Sequence, residues 1–109
     1  MAKKIKVTVG SKNVYADMGY ANPEEALIKA KIANLICDLV NSRNLSQSES
    51  ARILKIDQPR VSDLMCGRLK RFSTEKLFEF LNALGQDIEI RIKKKPSSHK
   101  YAEVRVVAA

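Results

Sequence analysis

The chain has 109 residues, of which 20 are Lys or Arg and 12 are Asp or Glu, so its formal net charge is +8 at pH 7. A chain of this length forms one domain with a modest core, and its positive charge favours a polyanionic partner such as nucleic acid or an acidic membrane surface. The cysteines, Cys37 and Cys66, and the single histidine, His99, have no metal-ligand spacing, which argues against both a zinc site and a disulfide framework.

The N-terminal residues have only part of the pattern of a targeting segment. MAKKIK resembles the basic start of a secretory signal, but no apolar segment follows it. No apolar run approaches the roughly 20 residues that a membrane span needs. We therefore expect a cytoplasmic, soluble protein without a membrane partner. Residues 1–12 are predicted to form an arm, and the alternation of Ile5, Val7 and Val9 with polar residues allows a short strand there.

Two helices are predicted between residues 22 and 54. The first begins with Asn22 as its cap, has Pro23 at its first position, and ends near residues 41–44. The second begins at Ser46, where Glu49 three residues later completes a capping-box pattern. Both helices have an apolar stripe at helical spacing, which predicts that each packs one face into a core.

Two further helices are predicted after residue 56. Asp57 is the cap of the third, which places Pro59 in a first turn where the missing N–H is not required. Gly67 suits the left-handed end of that helix, and Ser73 caps the fourth helix before Gly85 ends it. The predicted inward residues of all four helices are Ile28, Ile32, Leu35, Ile36, Leu39, Val40, Ala51, Ile53, Leu54, Val61, Leu64, Met65, Leu77, Phe80, Leu81 and Leu84.

The C-terminal residues 87–109 have the period of strands. Ile88, Ile90 and Ile92 alternate with charged residues, and a second alternating run follows at residues 102–106, which together predict an antiparallel hairpin. A lone hairpin is marginal in water, so its apolar face needs a cover. We predict that Ile88, Ile90 and Ile92 pair across the twofold axis of a homodimer. The alternatives are a hairpin folded back on its own helices and an edge kept for another protein.

The second and third helices, with about three residues between them, form a helix-turn-helix pattern, in which the second helix of the pair enters the major groove of DNA. At 100° per residue the third helix has a small or polar face opposite Val61 and Leu64. The residues of this face are Pro59, Ser62, Asp63 and Cys66, with Gln58 and Arg60 on the flanks.

The side chains on this face match known ways of reading base edges. Gln58 can pair with adenine, Arg60 with guanine or a phosphate, and Asp63 with the amino group of cytosine, while the ring of Pro59 can touch a thymine methyl. The ordinary alternatives are a helix-start residue for Gln58, a solvated side chain for Arg60, and for Asp63 a salt bridge to Arg60 or Arg52.

Three cations follow the third helix directly. Arg68, Lys70 and Arg71 are predicted to contact the DNA backbone, because phosphates are neutralised by Lys and Arg whatever the base sequence. The alternative for these three residues is a solvated basic loop.

Residues 45–67, LSQSESARILKIDQPRVSDLMCG, resemble the lambda-repressor-like, or XRE, helix-turn-helix family. The matching residues are Leu45, Ser46, Gln47, Ala51, Leu54, Ile56, Gln58, Val61, Ser62, Leu64 and Gly67. The flanking segments, NVYADMGYANPEEALIKAKI and GRLKRFSTEKLFEFLNALGQDIEIRI, resemble the HigA-like antitoxin branch of that family. The resemblance covers residues 13–92.

The resemblance implies a mainly α fold, a lambda-repressor-like DNA-binding domain of four to five helices at residues 13–86. The expected fold also has short β-strands at the C-terminus, in a dimerisation element at residues 87–109. It allows a further strand at the N-terminus. The family usually has glycine where this chain has Lys55. Either the turn is reshaped there, or a left-handed lysine is accepted at a cost of about 1 kcal/mol.

The function implied is that of a sequence-specific repressor that binds double-stranded DNA at a palindromic operator, often its own, as a dimer and without a cofactor. The resemblance places Gln47, with Ser46 before it, near a phosphate and turns Gln58, Pro59, Ser62 and Asp63 towards the bases. Such proteins are often encoded beside a RelE-like or HigB-like ribonuclease toxin, so the alternative function is an antitoxin that binds this toxin directly.

Enzyme activity and RNA binding are less favoured by the sequence. The chain has no nucleophile with a base at a recognisable spacing, no paired carboxylates on a common face and no glycine-rich phosphate loop, so we expect no enzyme. The basic segments also lack the aromatic residues on which single-stranded RNA bases usually stack. A DNA-binding regulator therefore remains the leading prediction.

Overall fold

Four helices form the ordered framework of the computed structural model, which describes residues 23–108. They are α1 (Pro23–Ser42), α2 (Gln47–Leu54), α3 (Gln58–Met65) and α4 (Thr74–Ala83). The four helices predicted from the sequence are thus confirmed. The arm predicted at residues 1–12 and the cap predicted at Asn22 lie outside the described residues. No helix within residues 23–108 is long and apolar enough to cross a lipid bilayer.

The helices α2, α3 and α4 begin where the sequence predicts their caps. The hydroxyl of Ser46 accepts a hydrogen bond from the N–H of Glu49, the carboxylate of Asp57 accepts one from the N–H of Arg60, and Ser73 does the same for Lys76. Each of these bonds satisfies a backbone donor that has no partner inside the helix. The starts of α2, α3 and α4 are therefore set by residues within three positions of the cap.

The turn between α1 and α2 contains a left-handed residue, Asn44, whose φ is 54°. This conformation lets the N–H of Leu45 donate to the carbonyl of Val40 at 3.1 Å, which closes the end of α1. Arg43 strengthens the same corner, because its Nη2 donates to the carbonyl oxygen of Leu84 at 2.8 Å. The end of α1 is thereby joined to the end of α4.

The core lies between α1 and α4 and is closed by α2 and α3, which pack against each other and against these two helices. Its buried apolar residues are Ile32, Ala33, Ile36, Val40, Leu54, Val61, Leu64, Phe72, Leu77, Phe80, Leu81 and Leu84. The other predicted inward residues are half-buried at its edge, namely Ile28, Leu35, Leu39, Ala51, Ile53 and Met65. The prediction of one apolar stripe per helix is therefore confirmed.

The strands predicted at the C-terminus are wrong for the described part of the chain, since residues 87–108 form no strand. Ile88 and Val106 are partly buried against the helical core, whereas Ile90 and Ile92 are 74% and 95% exposed. An alternating pattern specifies an apolar face, but a strand also needs a neighbouring strand to satisfy its backbone. Within one chain, Ile88 and Val106 pack against the helical core, and residues 87–108 form no strand pairing.

Candidate nucleic-acid interface

The turn between α2 and α3 is held by a left-handed lysine. Lys55 has φ 59° and ψ 43°, and both its N–H and that of Ile56 donate to the carbonyl of Ala51. The left-handed turn is thus retained with Lys55 in place of glycine, and the alternative of a reshaped turn is wrong. Because the side chain of Lys55 is exposed, its charge lies at the outer corner between the two helices.

The helix α3 has one buried face and one accessible face, as its sequence predicts. Val61 and Leu64 are each 1% exposed and anchor the inner face in the core. On the opposite side Pro59 is exposed and Ser62 is half-buried, and Gln58, the first residue of the helix, is exposed on the flank of this face. A short helix with small and polar outward residues of this kind fits into the major groove of DNA.

The side chain of Arg60 is not simply solvated. Its guanidinium lies 4.9 Å from the centroid of the Phe72 ring, and the residue is half-buried. Stacking of this kind attracts the cation to the ring and limits the orientations that the guanidinium can take. Arg60 is therefore held against the turn that follows α3, beside the exposed cations of that turn.

Asp63 forms a salt bridge whose partner was not among those considered from the sequence. Its Oδ1 accepts a hydrogen bond from Nε of Arg68 at 2.8 Å. The salt bridge that the sequence allows for Asp63 is instead with Arg60 or Arg52. The hydrogen bond to Asp63 raises the pKa of the Arg68 guanidinium. Because the two charges are opposite, the pair adds no net charge beside the outward face of α3.

The turn from α3 to α4 carries its charges on the outside and an aromatic ring on the inside. Gly67 has φ +78°, which ends α3 and lets the N–H of Arg68 donate to the carbonyl of Asp63 at 2.8 Å. Lys70 and Arg71 are exposed, while Phe72 is 1% exposed and meets Phe80 edge to face at 5.7 Å between ring centroids. The buried ring fixes the position of the basic turn.

Ser46 and Gln47 lie at the start of α2. The hydroxyl of Ser46 accepts from the N–H of Glu49 at 3.1 Å, and the N–H of Ser46 donates to Oε1 of Glu49 at 2.9 Å, which completes the predicted capping box. The hydrogen bond from the Ser46 backbone lowers the pKa of Glu49. Gln47 is the first residue of α2 and is exposed, so that its amide is free to approach a ligand.

Phe72 is the residue of this site that the sequence reasoning missed. It stands directly before the cap Ser73, and Leu77, the fourth residue of α4, is buried in the same cluster. An apolar residue before a helix cap that packs against the fourth helical residue is a hydrophobic staple. That spacing was present in the sequence and would have placed Phe72 in the core.

The charges of α3 and its following turn are mostly positive. Residues 58–72 contain Arg60, Arg68, Lys70 and Arg71 against one acidic residue, Asp63. A surface with this balance binds phosphates, and the polar outward face beside it offers hydrogen bonds to bases. In the part of the chain that the structure describes, no group of three or more His, Cys, Asp or Glu residues is placed to hold a metal ion.

Comparison with known proteins agrees with this geometry. A family described as "Helix-turn-helix domain" matches residues 14–93. A solved structure titled "Putative XRE Family Transcriptional Regulator" is 44% identical, with a TM-score of 0.77, over 79% of this chain and 97% of that one. No curated protein matches the chain. The match over residues 14–93 and the likeness to this structure show that the chain belongs to the helix-turn-helix domain family and has an XRE-like fold.

Proposed function

We propose that this protein is a sequence-specific DNA-binding repressor that inserts α3 into the major groove. The observation that carries the proposal is the accessible polar face of α3 beside an exposed basic turn, on the framework of α2, a left-handed turn and α3. The likeness to a protein titled an XRE family transcriptional regulator supports the same conclusion. Control of its own operon is the regulatory role that we assign to it.

The proposed contacts divide into two classes. Gln58, at the exposed start of α3, reads a base edge, and Pro59 and Ser62 lie next to it on the outward face. Arg60, Lys70 and Arg71 contact phosphates, because the first is held against the turn by Phe72 and the other two are exposed on that turn. Ser46 and Gln47 add a phosphate contact at the start of α2, the end of a helix that favours anions.

The protein is proposed to bind its operator as a homodimer. Ile90 and Ile92 are exposed on a segment that forms no strand within residues 87–108, so both their side chains and their backbone are open to a partner. Pairing of this segment with a second copy would bury the isoleucines and complete a ladder of backbone hydrogen bonds. A twofold dimer of this kind presents two α3 helices about 34 Å apart, one turn of DNA, to a palindromic site.

The test is a gel-shift assay with the DNA immediately upstream of the gene, in which we expect a shifted band that an unrelated duplex does not compete away. Replacing Gln58 by Ala is expected to weaken this binding by about 1 to 3 kcal/mol and to relax preference at one base pair. Replacing Arg71 by Ala is expected to weaken binding to every sequence and to lower the salt slope by about one.

The two variants serve as controls for each other. Gln58 and Arg71 are both exposed, so neither replacement removes a buried side chain, and unchanged melting temperatures establish that both variants are folded. If Gln58→Ala binds the upstream DNA as tightly as wild type does, the assigned recognition face is wrong. If wild type binds all duplexes equally, the protein is not a sequence-specific regulator.

The second candidate function is that of an antitoxin that binds a RelE-like or HigB-like ribonuclease toxin. It is favoured by a set of exposed apolar residues that suit a protein partner, namely Ile90, Ile92, Tyr101, Val104 and Val107. If the adjacent gene encodes a small basic protein of that class, its product is purified and its cleavage of RNA is measured with and without this chain. Loss of cleavage at a one-to-one ratio supports the antitoxin, and unchanged cleavage argues against it.

A further inference from the structure

The pair formed by Asp63 and Arg68 is tied to α3 at two points. The side chains meet through Nε of Arg68 and Oδ1 of Asp63 at 2.8 Å, and the backbone N–H of Arg68 donates to the backbone carbonyl of Asp63, also at 2.8 Å. Arg68 is therefore fixed relative to the helix itself, although it follows Gly67 in the chain. Its neighbours Lys70 and Arg71 lie further along the turn.

The free edge of the Arg68 guanidinium is available to a ligand. The carboxylate of Asp63 bonds to Nε and the Cys66 side chain lies beside the same guanidinium. The Arg68 side chain is nevertheless 62% exposed, which leaves its terminal donors accessible. Two parallel donors at the end of a guanidinium match the O6 and N7 acceptors of guanine. Asp63 lies four residues after Pro59 and so on the same side of α3. The guanidinium bonded to its carboxylate therefore lies beside the outward face.

Stability does not account for the pair. An exposed ion pair contributes little to stability, and a carboxylate on a DNA-facing surface is repelled by phosphates. A carboxylate at the position of Asp63 assists DNA binding only if it orients a cation towards the DNA and the positive charge of that cation offsets its own negative charge. The bond to Arg68 offsets the charge of the Asp63 carboxylate and holds the guanidinium beside α3.

We propose that Arg68 reads a guanine in the major groove and that Asp63 is the positioning residue that orients it. This assignment rests on the proposed function and differs from the sequence-based expectation, in which Asp63 accepts from a cytosine and Arg68 contacts the backbone. It makes Arg68 a specificity-determining residue, and within the turn after α3 it leaves the phosphate contacts to Lys70 and Arg71.

The experiment begins with duplexes of random sequence enriched on the full-length wild-type protein. The enriched consensus duplex then serves as the probe, together with versions that each carry one exchanged base pair and with a scrambled duplex. Binding is measured for wild type, Asp63→Asn, Arg68→Lys, the double variant, and Arg52→Lys as the matched control, since Arg52 is exposed on α2 and has no assigned contact with DNA. Arg68→Lys keeps the charge but loses the paired donors, and melting temperatures establish that each variant is folded.

If Arg68 reads guanine, Arg68→Lys weakens binding to the consensus about tenfold or more and removes discrimination at one G·C pair. Asp63→Asn loses discrimination at the same pair while binding the scrambled duplex more tightly, because a negative charge has been removed. The double variant is expected to lose little more than Arg68→Lys alone, since the two residues act as a unit. Arg52→Lys is expected to bind like wild type.

Three results would overturn the assignment. An Arg68→Lys variant that discriminates all base pairs as wild type does would show that Arg68 contacts only phosphates. Loss of discrimination at a different pair in Asp63→Asn would show that Asp63 reads a base on its own. A wild-type protein that enriches no sequence refutes the proposed function itself, and the assignment of Arg68 with it.

Discussion

At the scale of single residues, Ser50 stands out in α2. It is 1% exposed, and its hydroxyl has no hydrogen-bond partner in the described structure. A buried polar group without a partner costs about 1 to 3 kcal/mol. The pattern of apolar residues did not predict this position as part of the core, because serine carries no apolar signal.

Ser50→Ala is predicted to raise the free energy of unfolding by about 1 kcal/mol, because the unpartnered hydroxyl is removed from the core. Urea unfolding of both proteins measures the change. Ser48→Ala is the matched control, since Ser48 is an exposed residue of the same helix. Its replacement adds the higher helix propensity of alanine and removes the hydrogen bond between the hydroxyls of Ser48 and Ser46. A gain at Ser50 no larger than that at Ser48 would contradict the prediction.

At the scale of elements, the capping box of α2 makes the stability of that helix sensitive to acid. The backbone hydrogen bond from Ser46 lowers the pKa of Glu49 below its value in the unfolded chain. A carboxylate of this kind stabilises the folded state above its unfolded pKa, and the stabilisation is lost as the pH falls through the folded pKa. The loss is thus expected in the acid range, below about pH 4.3.

Glu49→Gln is predicted to lower the melting temperature at pH 7, and the difference from wild type is predicted to shrink as the pH falls below about 4.3. Thermal unfolding followed by circular dichroism at several pH values measures it. The control is Glu75→Gln in the first turn of α4, where Lys76 occupies the third position and no capping box forms. A difference at Glu49 that does not vary with pH would rule out a role for the ionised carboxylate.

The left-handed turn after α2 supplies a second prediction at this scale. Lys55 adopts φ 59°, a conformation that costs a residue with a Cβ atom about 1 to 2 kcal/mol. Part of any gain from glycine is offset by its larger entropy in the unfolded chain. Lys55→Gly is therefore predicted to stabilise the protein by about 0.5 to 1 kcal/mol in urea unfolding.

Asn44→Gly is the comparison for this change, because Asn44 is also left-handed, with φ 54°. Asparagine accepts this conformation more readily than lysine does, so the gain is expected to be smaller than at position 55. Equal effects at both positions would show that the strain at Lys55 is negligible. DNA binding of Lys55→Gly at low salt then reports separately whether the lost cation contacts a phosphate.

At the scale of the whole molecule, the proposed homodimer depends on the C-terminal segment. Ile88 is partly buried against the helices, whereas Ile90 and Ile92 face solvent. An isoleucine side chain contributes about 1.5 to 3 kcal/mol when it is fully buried. A second copy that covers both residues would therefore supply a substantial part of the free energy of dimerisation.

Ile90→Lys is predicted to sediment as a monomer at a micromolar concentration at which wild type is a dimer, and to bind a full palindromic operator only as tightly as a half-site. Ser97→Lys adds the same charge at an exposed turn of the same segment and is expected to stay dimeric. A wild-type monomer, or an Ile90→Lys variant that remains dimeric and binds the full operator unchanged, would contradict the proposed dimer.

The sequence alone was sufficient to predict the four helices and the two faces of α3. Ser46, Asp57 and Ser73 cap their helices through bonds to residues three positions away, and the spacing of apolar residues shows which face packs inward. Both signals act within a few residues, so the local sequence specifies them.

Tertiary structure decided which side chains are in contact and whether the C-terminal segment forms strands. The stacking of Arg60 on Phe72 joins residues twelve positions apart, and the bond between Asp63 and Arg68 depends on the left-handed turn at Gly67. Residues 87–108 alternate like strands but form none in the described structure, because a strand requires a partner that its own pattern does not supply. The sequence by itself therefore determined where helices begin and which way they face, and only packing determined which charges meet.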